Sequence, residues 1–371
     1  MPAPGSIREY CLALAGRAAA IVRADGFLYG FIAIYAAAGL AFLAEVGALD
    51  RAAYHTYLPI WLLLFGFLLP SLSLLFDVGR FLHRFDRRRA LAARRAFSVE
   101  RMACFVSGIT LLMGIMVFQS TFTSVKNGIY VLWGRFPFDR VQADLDAALH
   151  FGRDPWHWLY ALGEHAWVRF LVEWNYDMLW FVICYGMLFF MVTSPRTRRQ
   201  KRRYVLSFML VWIVVGNVLA GMFLSAGPAF YGFVTGDEAR FADQLAFLAQ
   251  STSSRAAMIY QHYLWTLQSA GRTGFASGIS AFPSVHVAMI TLNALFIAEY
   301  DRRLGAIAFA YTAFVAASSV YLAWHYAIDG YVAVAVTVVL YALVRRLAPD
   351  APDGARAAPV SAASGRPLTV S

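Results

Sequence analysis

From Leu304 to Val344 the chain reads LGAIAFAYTAFVAASSVYLAWHYAIDGYVAVAVTVVLYALV, with no Lys, Arg or Glu, and with His325 and Asp329 together near its middle. A bilayer core of about 30 Å takes roughly 20 apolar residues as a helix, because lipid cannot satisfy a bare backbone amide or carbonyl. The stretch therefore predicts two spans, 304–324 and 328–344, joined by a short polar elbow. Working outward, six more runs of the same kind stand at 27–49, 57–76, 102–121, 176–193, 204–224 and 282–300. The expected fold is an all-α polytopic membrane bundle of about eight transmembrane helices.

Composition points the same way. Of 371 residues, 60% are apolar and 15% charged, whereas soluble domains run near half apolar and about a quarter charged. That balance excludes a solvated globular enzyme and a disordered chain. The net charge of +10 does not indicate nucleic acid, because the basic residues lie between apolar runs. Thirty of the 32 basic residues are Arg, a codon bias that suggests a GC-rich bacterial genome. Cys11, Cys104 and Cys184 have no paired spacing, so neither a disulfide framework nor a thiolate metal site follows.

Lys and Arg are retained on the cytoplasmic side of a membrane. Segments 1–26, 77–101, 194–203, 301–303 and 345–371 hold 23 basic residues in 91 positions, and the alternate segments hold 9 in 121. The runs Arg87-Arg88-Arg89 and Arg198 to Arg203, with both termini, are expected inside. Residues 122–175 and 225–281 are then outer loops. The division reads as an interfacial N-terminal segment 1–26, a three-helix membrane region 27–121, an outer amphipathic loop 122–175, a membrane core 176–347 and a disordered Ala/Pro/Gly/Ser tail 348–371. Residues 1–26 carry Arg8, Arg17 and Arg23 and so do not resemble a cleaved signal peptide. The Trp-rich loop 122–175 is expected either as helices on the membrane surface or as a folded cap over the bundle.

His55, His83, His150, His157, His165 and His262 fall in loops, where a solvated role is the default. His286 opens the sixth span, His325 follows the seventh, and Asp329 opens the eighth, which puts all three at the outer face. One such His is explained as well by helix capping as by function, but three converging ionisable groups at membrane depth point to a site. Gly278 to His286 reads as a turn feeding a helix. Pro283 suits its first turn, and Ser284 can satisfy free amides beside an anion site at the helix start. His325 and Asp329, four apart, face each other if helical, so Asp329 holds one imidazole nitrogen and leaves the other free to attack.

Pro283-Ser284-Val285-His286, followed some forty residues later by His325-Tyr326-Ala327-Ile328-Asp329, resembles the type 2 phosphatidic acid phosphatase superfamily. The resemblance is closest to its inositol phosphorylceramide synthase-like branch. It covers about 204–345, and the stretch from Asp139 to Trp156 is similar to the outer loop of bacterial members. It implies that His325 attacks phosphorus to give a phosphohistidine, that Asp329 orients it, and that His286 protonates the leaving oxygen. It also implies no metal and no cofactor. Two departures stand out. Ser319 occupies the place where the phosphatases carry Arg, and their upstream Lys-x6-Arg-Pro is missing, since Lys126 and Arg135 precede Phe136-Pro137 at another spacing. Ser284, Lys126 and Arg272 are therefore the substrate-binding candidates, although an ordinary interfacial or solvated base describes Lys126 or Arg272 as well. Gly227-Pro228 either shapes the pocket or simply stops a helix.

The expected function is a membrane lipid phosphotransferase that moves an inositol-phosphate-like head group between lipid and alcohol at the outer face of a bacterial inner membrane. Its partners would be membrane lipids, a phosphorylated lipid substrate, and a small alcohol or water as acceptor, with no nucleic acid. The alternative within the family is a lipid phosphate phosphatase. A transporter would place its polar groups near the midplane on broken helices, and a metalloenzyme would use His286, His325 and Asp329 as ligands.

Overall fold

In the computed structural model, which describes residues 6–84 and 89–348, every regular element among the described residues is helical. Arg87, Arg88 and the tail beyond Ala348 lie outside the described residues. The N-terminal segment is α1 (Ile7–Ala24), whose Ala18 and Ile21 pack on Ala103 and Cys104. Next come α2 (Gly26–Glu45), α3 (Tyr54–Trp61) running through a π-helical stretch (Leu62–Leu68) into α4 (Leu69–Arg84), and the short α5 (Arg89–Ala96). Eleven exposed large apolar side chains along the α3–α4 run, such as Leu63, Phe67 and Leu75, show that it forms an outer layer toward lipid.

The long helix α6 (Val99–Trp133) is the axis of the molecule. Its 35 residues span about 52 Å at 1.5 Å per residue, so it passes beyond Thr121, where its polar content predicts an end. The reason is local. Ser120, Thr121, Ser124 and Asn127 each bond the carbonyl four residues back, and Tyr57 Oη, Tyr54 Oη and the Ala53 amide engage Thr123, Thr121 and Ser124. Residues 122–133 thus belong to a helix rather than to a loop.

The segment that follows, expected as an outer loop, folds as α7 (Asp139–Leu149), α8 (Trp156–Gly163) and α9 (Ala166–Trp174). It is a cap, because Asp139, Gln142, Ala143 and Asp146 of α7 are buried against the bundle. A π-helical turn leads from α9 into α10 (Trp180–Thr193). After a tight turn come α11 (Arg198–Ile213) and, through a third π stretch, α12 (Ala220–Met222). Helices α13 (Tyr231–Thr235), α14 (Ala242–Ala249) and α15 (Ala257–Ser269) build the second long connection at the same end as α7, and α16 (Val285–Tyr300), α17 (Arg302–Tyr321) and α18 (Ala327–Leu347) close the bundle.

Among the described residues seven helical runs are long and apolar enough to cross a membrane, and the 16-residue α16 is a shorter apolar helix beside them. Together they correspond to the eight expected spans. Lipid supplies little hydrophobic drive between such helices, so close contact at small residues holds them. At Gly108, for example, a Cβ would stand 2.8 Å from the Val192 carbonyl oxygen of α10.

The two ends of the bundle differ. At the end where α16 finishes and α11 begins, Arg203 pairs with Glu299, Lys201 with Asp25, and Arg17 and Arg198 both with Glu100. The histidines stand at the opposite end.

Candidate active site

His325 stands in the turn between α17 and α18, and the turn is built by a residue of unusual conformation. Ala323 has φ +60°, a region costly for a side chain. It is fully buried and fixed by its neighbours: its amide bonds Val320 O, and its carbonyl accepts from the Ala229 amide. The last carbonyls of α17 are then met by the helices of the two long connections. Gln244 Nε2 donates to Val320 O, Gln261 Nε2 to Leu322 O, and Tyr160 Oη to Tyr321 O.

His325 itself is not helical. Tyr326 is the N-cap of α18 and Asp329 its third residue, so the Asp329 carboxylate reaches back past the helix start. Its Oδ2 accepts from the Tyr326 amide at 3.1 Å and lies 3.0 Å from His325 Nδ1. The expected pairing is present, by capping geometry rather than by one helix turn. Asp329 is fully buried and His325 is 8% exposed. No hydrogen bond occupies His325 Nε2 among the described residues.

The second motif meets this turn. Ser284 caps α16, its Oγ accepting from the Val287 amide, and its own amide donates to Asp329 O at 3.2 Å. Pro283 stands one residue before the cap rather than in the first turn. His286 follows in that turn. Its ring stacks on Tyr176 (centroids 4.6 Å apart, planes within 11°) and on Trp180 (4.0 Å), whose indole donates to His286 O at 3.0 Å. Tyr176 also lies beside Ser284 and within electrostatic reach of Asp329. His286 in turn lies within electrostatic reach of both His325 and Lys126.

Lys126 comes from the extended part of α6. Its stem packs on Gly278 of the Pro-Ser-x-His loop, where a Cβ would meet Lys126 Cγ at 3.1 Å, and the neighbouring Asn127 holds Ser277 at 3.1 Å. Among the described residues Lys126 has no carboxylate partner. Arg272, by contrast, is exposed after α15. Ser319 also turns away: its hydroxyl bonds Ala316 O, while its carbonyl accepts from the Trp324 and His325 amides.

The cap supplies residues that sequence reasoning missed. Asp146 accepts from the Ala327 and Ile328 amides, both at 3.0 Å, so it caps α18 from another helix. Two turns earlier, Asp139 accepts from the Ala226 and Gly227 amides at 2.8 and 2.9 Å and from Tyr326 Oη at 2.9 Å. Burial pushes the Asp139 carboxyl up to about 6 and raises Asp146 as well, against the hydrogen bonds that favour their charged forms. His150, expected to be solvated, bridges Asp146 O and Tyr331 Oη of α18. Gly227 is a pocket residue as well as a helix stop. It has φ +95°, and a Cβ there would meet Trp324 O at 2.7 Å. Beside the likeness of Asp139 to Trp156 to the outer loop of bacterial members, acidic residues seven apart on an amphipathic stretch were the sequence signal for α7.

A family profile, the PAP2 superfamily, matches residues 142–343. The chain belongs to the PAP2 superfamily. No curated protein and no solved structure matches it. The matched region runs from inside α7 to near the end of α18, so it contains the cap helix together with both histidine motifs. Members of this superfamily are generally phosphatases or phosphotransferases, and membership is consistent with a multi-pass membrane protein acting on lipid phosphate.

Proposed function

We propose that the protein is a lipid phosphotransferase that passes a phosphoryl-linked head group to an alcohol through a phosphohistidine on His325. The observation that carries this reading is the 3.0 Å contact of His325 Nδ1 with buried Asp329, which sets the ring so that Nε2 is the nucleophile. Nε2 attacks phosphorus, the bond from phosphorus to the leaving oxygen breaks, and His286 gives that oxygen a proton. In the second half an alcohol oxygen attacks, the N–P bond breaks, and His286 takes the alcohol proton. Tyr176 and Trp180 hold the His286 ring for both steps. Lys126 meets the phosphate charge, and Ser284 fixes the helix start beside it.

Transfer is preferred to hydrolysis because cations are few. Ser319 replaces the phosphatases' Arg and is turned away, and Arg272 is exposed to solvent, which leaves Lys126 beside His286. A diester lipid with one negative charge suits a single cation better than a monoester carrying nearly two, since each unpaired buried charge is costly. This favours the inositol phosphorylceramide synthase-like branch and an inositol-phosphate-like head group. The cap over the turn also limits water at the phosphohistidine. Among the described residues no group of three His, Cys, Asp or Glu side chains is disposed to hold a metal ion, and the ionisable groups gather at one end rather than at a midplane break.

With the 23-to-9 basic asymmetry, the site is assigned to the outer face of a bacterial inner membrane, with both termini inside. Purified protein given phosphatidylinositol and a lipid alcohol should form a new phospholipid and release inorganic phosphate slowly from lipid monoesters. Rapid phosphate release without an alcohol-dependent product would make it a phosphatase. In intact cells, an impermeant thiol reagent should label a Cys placed at Arg255 and spare one at Arg198. The reverse pattern would put the site on the inner face.

A further inference from the structure

At the end opposite the histidines a cavity of about 630 Å³ opens between α4 and α5 on one side and α6 and α10 on the other. Its lining is both apolar and basic. Phe76, Phe105, Phe189 and Phe190 supply aromatic surface, of which Phe76 and Phe190 are 66% and 47% exposed. Arg80, Arg95 and Arg196 line it as well. A fourth guanidinium, Arg101, is paired with Asp77, the one acid in the lining. Arg80 lies over the Phe76 ring at 5.7 Å. None of Arg80, Arg95 and Arg196 has a carboxylate partner among the described residues.

Elsewhere at this end the buried cations are matched, as in the pairs of Lys201 with Asp25 and Arg203 with Glu299. Retention of topology alone places arginines on a face, but it does not gather three of them on one partly enclosed cavity and leave them without counter-charge. Like charges held at the edge of a low-dielectric wall repel, and an anion among them removes that cost. The cavity lies where α10 ends and α6 begins, the level at which a phospholipid carries its phosphate. Its opening offers aromatic surface to acyl chains.

We propose that this cavity binds an anionic phospholipid of the adjacent leaflet, with its phosphate on Arg80, Arg95 and Arg196 and its chains along Phe76 and Phe190. Basic pockets between membrane helices recognise anionic head groups in this manner. The site is separate from the histidines and does not depend on the reaction they perform.

The test is native mass spectrometry of the full-length protein released from mixed phosphatidylglycerol and phosphatidylcholine micelles. Wild type should retain phosphatidylglycerol in preference to phosphatidylcholine. The double variant R95Q/R196Q should lose about 30-fold in affinity for it, from about one charge contact per Arg, and R196Q alone about fivefold if the double variant does not fold. R302Q/R303Q removes two exposed arginines of the same end outside the cavity and should leave retention unchanged. Equal retention of the two lipids by wild type, or an equal loss in R302Q/R303Q, overturns the proposal. Displacement of phosphatidylglycerol by millimolar inorganic phosphate would show a free-anion site and would overturn it too.

Discussion

The two ends of the bundle use buried charge in opposite ways. Where α11 begins, cations are matched to acids: Lys201 Nζ lies 2.5 Å from Asp25, and Arg203 lies 2.6 Å from Glu299. Where α16 begins, Lys126 has no acid, and Asp329 is spent on an imidazole and an amide. Matched charge fixes geometry, and unmatched charge is left for a ligand. The comparison predicts that substitutions at the histidine end remove turnover while the fold survives, and that those at the arginine end do the reverse.

The largest effect is expected at His325, the proposed nucleophile. His325→Ala and His286→Ala should each lower turnover by more than about 10³-fold, measured as new phospholipid formed, with thermal unfolding in detergent nearly unchanged. Asp329→Asn should fall between these and wild type, because the ring loses its orienting partner but stays in place. Near-normal turnover in His325→Ala would end the phosphohistidine reading.

Lys126→Met tests the unmatched cation. It should reduce kcat/KM by about 10- to 100-fold, the value of one charge-assisted contact, with little loss of stability. A strong loss of stability would show that Lys126 is structural.

The arginine end gives the converse. Asp25→Asn strands buried Lys201 and should cost about 3 kcal/mol of stability while kcat stays within about twofold of wild type. A fall in kcat with unchanged stability would erase the contrast between the ends.

The smallest effect concerns pH. Burial lifts Asp139 from 3.8 to about 6, so between these values the folded protein holds a proton that the unfolded chain has released. Its contribution to stability is present below about pH 4 and is lost as pH rises through about 6. Asp139→Asn should therefore flatten the decline of the unfolding midpoint over that window. An unchanged slope would show that Asp139 titrates as an ordinary surface acid.

Much of this was legible before any coordinates. Apolar runs of about 20 residues determine membrane helices because lipid offers no alternative partner for the backbone, and His325 and Asp329 were adjacent in sequence as well as in space. The misses share one physical cause, which is satisfaction from a distance. Thr121 to Asn127 look like the end of a span, yet their side chains are met by their own helix and by α3. Asp139 and Asp146 look like a solvated helix face, yet they receive amides from positions 87 and 181 residues away. Tyr176 and Trp180 sit in an apolar run like any lipid-facing aromatic, and only the fold brings His286 to them. Arg272 stands ten residues before the motif in sequence but is turned to solvent in the fold.

The two carboxylates of α7 have a mechanical consequence. Together they hold the amides of Ala226, Gly227, Ala327 and Ile328 and the Tyr326 hydroxyl. Lifting α7 away would break all five bonds at once and leave the start of α18 bare. The segment is therefore a strut and not a door: it keeps the turn that carries His325 clamped.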